Sequence, residues 1–192
     1  MDDECFFLWE RVTGGRFQDY PTNDLISNLQ IPVSCRGSYR WYWKGHAIRY
    51  AAEALSQLIP TPLLDATFVP IPPSLTKQNP NHDSRILDMI RQAVRMQDVR
   101  ELVLTIQDTV AKEKNISPQR RAQNYRINED CADPTPTDIV VVDDVLAGGS
   151  HFKAMKIVAA QRFPHARVYG LFLARAIRPE PEPIPEGLVI EI

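Results

Sequence analysis

The chain has 192 residues, with 22 Lys+Arg against 24 Asp+Glu and a formal net charge of −2, a balance that excludes a general polyanion-coating protein. Hydrophobic residues make up 44% and charged residues 24%, as expected of one globular domain that buries roughly 70% of its unfolded surface. No apolar run approaches the roughly 18 residues of a membrane span, the start Met1-Asp2-Asp3-Glu4 is acidic rather than basic, and Cys5, Cys35 and Cys131 lack CxxC spacing, so a cytoplasmic protein without zinc or disulfide framework is expected.

In chain order, the first strong period runs from Trp41 to Ile59, where Ile48, Ala51, Ala52, Leu55, Leu58 and Ile59 recur at helical spacing before Pro60. Ala66 to Ile71 is a short apolar run bracketed by Pro60, Pro62, Pro70, Pro72 and Pro73, and reads as a strand entering a loop. A helix is expected over 83–96 from Ile86, Leu87, Ile90 and Val94, and a strand over 102–106. Ile139-Val140-Val141-Val142 is the β-branched run of a strand buried on both faces. A helix from Ser150 to Phe163 and a strand from Val168 to Ala174 follow. Strands alternating with helices imply an α/β fold with a central parallel sheet flanked by helices. Residues 1–60 are expected to form a cap or hood, 61–178 the core, and 179–192 an acidic Pro-rich tail ending in a possible edge strand at 187–190.

The stretch that carries chemistry begins at Asp143-Asp144, directly after the buried run, and continues through Val145, Leu146, Ala147, Gly148, Gly149, Ser150 and His151 into a helix. In open α/β sheets ligands lie beyond the carboxyl ends of strands. Gly148 and Gly149 allow close backbone approach, Ser150 can cap the helix, and the positive helix end favours an anion. A phosphate at 147–151, with Asp143 and Asp144 reaching a diol or Mg²⁺, suits a sugar phosphate. A Walker-B strand would need an upstream GxxxxGK[ST] loop, which the chain lacks. A receiver domain would carry its acidic pair near the N-terminus. The bland alternative is an Asp-Asp turn with glycines serving only the turn.

Residues 112–126 hold Lys112, Lys114, Arg120, Arg121 and Arg126 against Glu113. They are read as a closing loop that stabilises leaving-group charge, as a solvated basic face, or as a nucleic-acid contact together with Tyr125. Ser84 and Arg85 start the helix after the first central strand, where Asp83 is expected to cap. Trp41, Tyr42 and Trp43 are expected to pack as an aromatic cluster. His46, His82, His151 and His165 share no metal spacing.

The string from Ile139 to His151 resembles the phosphoribosyl pyrophosphate (PRPP) signature of type I phosphoribosyltransferases. Phe68-Val69-Pro70-Ile71-Pro72, residues 116–124, residues 163–175 and Trp43-Lys44-Gly45 are similar to successive segments of the ComF-type branch, so the resemblance covers most of residues 41–176. It implies that Asp143 and Asp144 hold the ribose hydroxyls and a possible Mg²⁺, and that residues 145–151 hold the 5′-phosphate. It also implies that Pro72, Pro73, Ser74, Ser84 and Arg85 lie on the pyrophosphate side, and that Lys112, Arg120 and Arg121 close over the leaving group. The branch's four-cysteine module is missing, and Ala147 stands where purine-salvage members carry an acid. The implied activity is Mg-PRPP-dependent phosphoribosyl transfer, in a homodimer as is frequent among relatives. The alternative is a non-catalytic PRPP- or nucleotide-sensing module that acts through a protein or nucleic-acid partner, in a role such as DNA uptake or defence against foreign DNA.

Overall fold

The computed structural model describes residues 3–14, 20–57, 59, 61–94, 97–109 and 116–178. Lys112 and the tail 179–192 therefore lie outside the described residues. The elements in order are β1 (Cys5–Val12), α1 (Pro21–Leu29), α2 (Tyr39–Ser56), β2 (Thr67–Pro70), α3 (Arg85–Ala93), β3 (Asp98–Val99), β4 (Val103–Thr105), α4 (Pro118–Ala122), β5 (Tyr125–Ile127), β6 (Asp138–Leu146), α5 (Ser150–Arg162) and β7 (Arg167–Ile177). Five strands form one sheet in the order β1-β7-β6-β2-β3, and every neighbouring pair is parallel. β4 and β5 pair antiparallel as a separate ribbon. Among the described residues no helix is long and apolar enough to cross a membrane.

Side chains alternate across the sheet, so β6 feeds two cores. Val140 and Val142 face α1, α2 and α3, together with Phe68, Leu171 and Leu173. Ile139 and Val141 face α5 and the β4–β5 ribbon, together with Val69 and Phe172. Ile86, Met89 and Ile90 of α3 and Phe152, Met155 and Ala159 of α5 supply the facing helical stripes. The continuous β-branched run is thus buried on both faces, as its composition predicts.

Residues 1–60, expected as a hood, supply the sheet's edge strand β1 and pack α1 and α2 on one of its faces. At the end of β1 the Asn23 side chain imitates a strand partner: its Oδ1 accepts from Val12 N at 3.1 Å and its Nδ2 donates to Val12 O at 2.9 Å.

The feature that creates a site is the unequal length of neighbouring strands. β2 stops at Pro70, with Ile71 N donating to Val142 O at 2.9 Å as a last rung. Pro72 and Pro73 have no N–H to continue the ladder. β6 and β7 stay paired as far as Leu146 and Arg175. The β2 side of residues 143–146 is left open as a notch. β2 leads to α3 on one face of the sheet and β6 leads to α5 on the other, so the notch lies at a topological switch point.

Candidate functional site

Asp143 and Asp144 were expected at a strand end, but β6 runs through both and on to Leu146 because pairing with β7 continues. The two carboxylates have different hydrogen-bond partners. Asp144 is 5% exposed on the α1–α3 face. Its Oδ2 accepts from Arg85 Nη2 at 2.8 Å, Arg85 Nε at 3.2 Å and Gln30 Nε2 at 2.9 Å. Although burial opposes it, the Arg85 guanidinium holds the Asp144 carboxyl below its ordinary pKa, in the charged form.

This ion pair belongs to a longer buried chain. Asp83 Oδ2 accepts from Arg85 Nη1 at 3.0 Å and from Lys44 Nζ at 2.8 Å. Lys44 is 2% exposed, and its Nζ also donates to the carbonyls of Leu29 and Ile31 at 2.9 and 2.8 Å. Burial pulls the Lys44 pKa down, and Asp83 opposes that shift. Asp83 Oδ1 accepts from Arg85 N at 3.2 Å, and Ser84 Oγ donates to Asp88 Oδ2 at 2.8 Å. Of the residues expected on the pyrophosphate side, Ser84 and Arg85 are thus engaged at the start of α3. Pro72, Pro73 and Ser74 line the cleft beside the notch.

Asp143 faces the other way, toward α5, and its Oδ1 accepts from Asp144 N at 2.8 Å. Burial and the neighbouring Asp144 charge push its pKa up, against the pull of Arg85. It borders a cleft of about 380 Å³ lined by residues 145–152, Ser74, Thr109, Ile116, Arg121 and Phe172. A second lobe of about 360 Å³ shares Ser74, Thr109, Ile116, Arg121 and His151, and adds Arg120, Asn124 and Tyr125. The two lobes form a continuous trough from the end of β6 to α4.

The floor of the first lobe is the turn into α5. Val145 and Leu146 still belong to the strand and pack into the two cores, which leaves 147–151 as the turn proper. Gly149 occupies the helix N-cap position at φ 69°, a left-handed value that favours glycine, and no side chain caps the helix. Ser150 was expected to cap but is the first helical residue. The first intrahelical bond runs from Lys153 N to Gly149 O at 2.9 Å, so the N–H groups of Ser150, His151 and Phe152 have no intrahelical acceptor.

His151 and Tyr125 form the wall between the lobes, with Tyr125 Oη 2.9 Å from His151 Nδ1. Burial and the Arg121 charge drop the His151 pKa to about 4, so its ring is neutral at physiological pH. Burial likewise raises the Tyr125 phenol. Arg121 is the cation here, and its buried Nε has no hydrogen-bond acceptor among the described residues. Arg120 is exposed, and its backbone N donates to Ser117 Oγ at 3.3 Å. The trough thus brings three helix N–H groups without intrahelical acceptors beside the Arg121 side chain, an arrangement suited to an anion.

Reading the sequence missed Gln30, the burial of Lys44 and the Tyr125–His151 contact. The signal for Lys44 was available: at helical spacing it falls on the buried stripe of Ala47, Ala51 and Leu55. Gln30 and Tyr125 come to the site from distant segments and carry no local signature.

Among the described residues no group of three or more His, Cys, Asp and Glu side chains is placed to hold a metal ion. Asp144 is committed to Arg85, which leaves Asp143 as the single carboxylate on the first lobe. A single carboxylate supplies too few oxygen ligands to hold a magnesium ion by itself. The chain matches no known protein-family model and no curated protein sequence.

Proposed function

We propose that the trough is a phosphoribosyl pyrophosphate site and that the chain is a type I phosphoribosyltransferase-like protein of the ComF type. The observation that carries this reading is the turn 147–151, whose N–H groups without intrahelical acceptors share one cleft with the Arg121 side chain. The N-terminus of α5 takes the 5′-phosphate, and Asp143 borders the ribose. The second lobe, with Ser74, Arg120 and Arg121, takes the pyrophosphate, and its Mg²⁺ arrives with the ligand. In the transfer reaction an acceptor lone pair forms the new bond at ribose C1. The bond from C1 to the pyrophosphate oxygen breaks, and its electron pair leaves with pyrophosphate. Arg121 stabilises charge growing on that leaving group. Asp144 acts at one remove, because its ion pair with Arg85 anchors β6 to α3.

A second reading is a PRPP- or nucleotide-sensing module without transferase activity. It is favoured by Ala147, which places no acid or base at the lip of the phosphate turn. Pyrophosphate release from Mg-PRPP, measured with a panel of nucleobases and amines, separates the two. Release that requires one class of acceptor establishes transfer. Silence across the panel, with PRPP bound, overturns transfer in favour of sensing.

A further inference from the structure

Helix α2 carries an aromatic stripe that nothing in the proposed site uses. Tyr39, Tyr42, Trp43, His46 and Tyr50 follow one helix face, and Tyr39, Tyr42, Trp43 and Tyr50 are 74%, 58%, 40% and 53% exposed. The rings support one another. Tyr39 stacks on Tyr42 at 6.4 Å and 14°, Trp43 meets Tyr42 edge-on at 5.4 Å, and His46 lies 6.1 Å from Trp43. Four such rings on one solvent-facing helix are unusual for a surface with no partner.

The charge around the stripe indicates what covers it. From Leu25 to Ala52 the chain has no Asp or Glu, yet it carries Arg36, Arg40, Lys44 and Arg49 in a protein of net charge −2. Lys44 is buried, Arg40 and Arg49 are exposed on α2, and Arg36 lies over Trp41 at 5.3 Å from its ring. Against a second copy of α2 these cations would repel. The occupant they favour is acidic, with rings or apolar groups that lie flat on aromatic faces.

The chain holds one segment of that composition. Residues 179–192 contain Pro179, Pro181, Pro183 and Pro185, with Glu180, Glu182, Glu186 and Glu191 and no Lys or Arg. Proline-rich segments dock on aromatic-lined surfaces because their backbone is already restricted, and glutamates meet arginines favourably. Reach permits the contact. The segment follows β7, whose Ile177 pairs with Val12 of β1, and Trp9 of β1 stacks on Tyr50 of α2 at 6.2 Å. The eight residues 179–186 at about 3.1 Å each could extend roughly 25 Å, whereas Tyr39 to Tyr50 covers about 16 Å of helix.

We infer that the Pro-Glu segment 179–186 docks within its own chain on the aromatic–arginine face of α2, its prolines against Tyr39, Tyr42 and Trp43 and its glutamates against Arg40 and Arg49. The surface is independent of the PRPP reading and stands or falls without it.

The test uses the full chain with 5-fluorotryptophan at Trp9, Trp41 and Trp43, the three signals assigned by Trp→Phe variants. A neutral gadolinium chelate added to the solution enhances fluorine relaxation in proportion to exposure. We expect Trp43 to be about twofold less enhanced in the wild type than in Glu180→Lys/Glu182→Lys/Glu186→Lys, with Trp9 unchanged. Arg40→Glu/Arg49→Glu should expose Trp43 equally, and combining both sets of reversals should cover it again. Equal enhancement of Trp43 in the wild type and the tail variant overturns the proposal. So does coverage that grows with protein concentration, which indicates a second copy, or a combined variant that stays exposed.

Discussion

The Arg85 guanidinium is shared between Asp144 and Asp83 and links α3 to β6. Asp144 takes the guanidinium hydrogen bonds, while burial and the Asp144 charge raise the Asp143 pKa against the pull of Arg85. Removing one member of a buried ion pair leaves an uncompensated charge at a cost of about 3–5 kcal/mol. Arg85→Met should therefore lower the unfolding temperature by roughly 10 °C in a chain of this size. Arg85→Met with Asp144→Leu should recover most of that loss, because the desolvated charge goes too. Thermal unfolding of the two variants beside the wild type decides it. A single variant within about 1 kcal/mol of the wild type would mean that the pair does not anchor the site.

At the scale of elements, the long periodic segments and the apolar runs of β2 and β4 were legible, whereas β1, α1, β3, α4 and β5 were not. The runs that became α2, α3, α5, β6 and β7 each carry a full period of core residues, and the structure places them within a few residues of their expected bounds. β3 has two residues and α4 five, too few for any period to register. β1 was missed because its neighbouring residues Phe6 and Phe7 are both apolar and both exposed, which breaks alternation. Gly170 shows how tightly β1, β7 and α5 meet. A Cβ there would lie 2.6 Å from Phe172, 2.8 Å from the Cys5 sulfur and 3.1 Å from Phe152. Gly170→Ala should destabilise by about 1–3 kcal/mol through overpacking. Gly45→Ala in α2, where the nearest atom is an Arg49 side-chain nitrogen at 3.9 Å, should stabilise by up to about 1 kcal/mol. Urea unfolding of both variants checks the contrast, and a neutral Gly170→Ala would contradict the close three-element packing.

For the whole molecule, the position of the site follows from topology. β2 is ended by its prolines while β6 runs on, and their following helices go to opposite faces, so a notch opens where the chain changes direction. The location could be read from the sequence, since the β-branched run, the glycine turn and the Pro-Ile-Pro-Pro stretch are all local features. The wiring inside it could not, because Gln30, Lys44 and Tyr125 reach it only through the fold.

The central claim is that the turn 147–151 binds the phosphate of a phosphoribosyl pyrophosphate ligand, and calorimetric titration of Mg-PRPP into the wild type and Ser150→Glu tests it most directly. An acidic residue is favourable in the first turn of a helix, so Ser150→Glu should keep the unfolding midpoint while placing a negative charge in the anion site. The account expects saturable binding by the wild type and a loss of about 100-fold, roughly 2.7 kcal/mol, in the variant. No binding by folded wild type, or equal binding by both proteins, would contradict it.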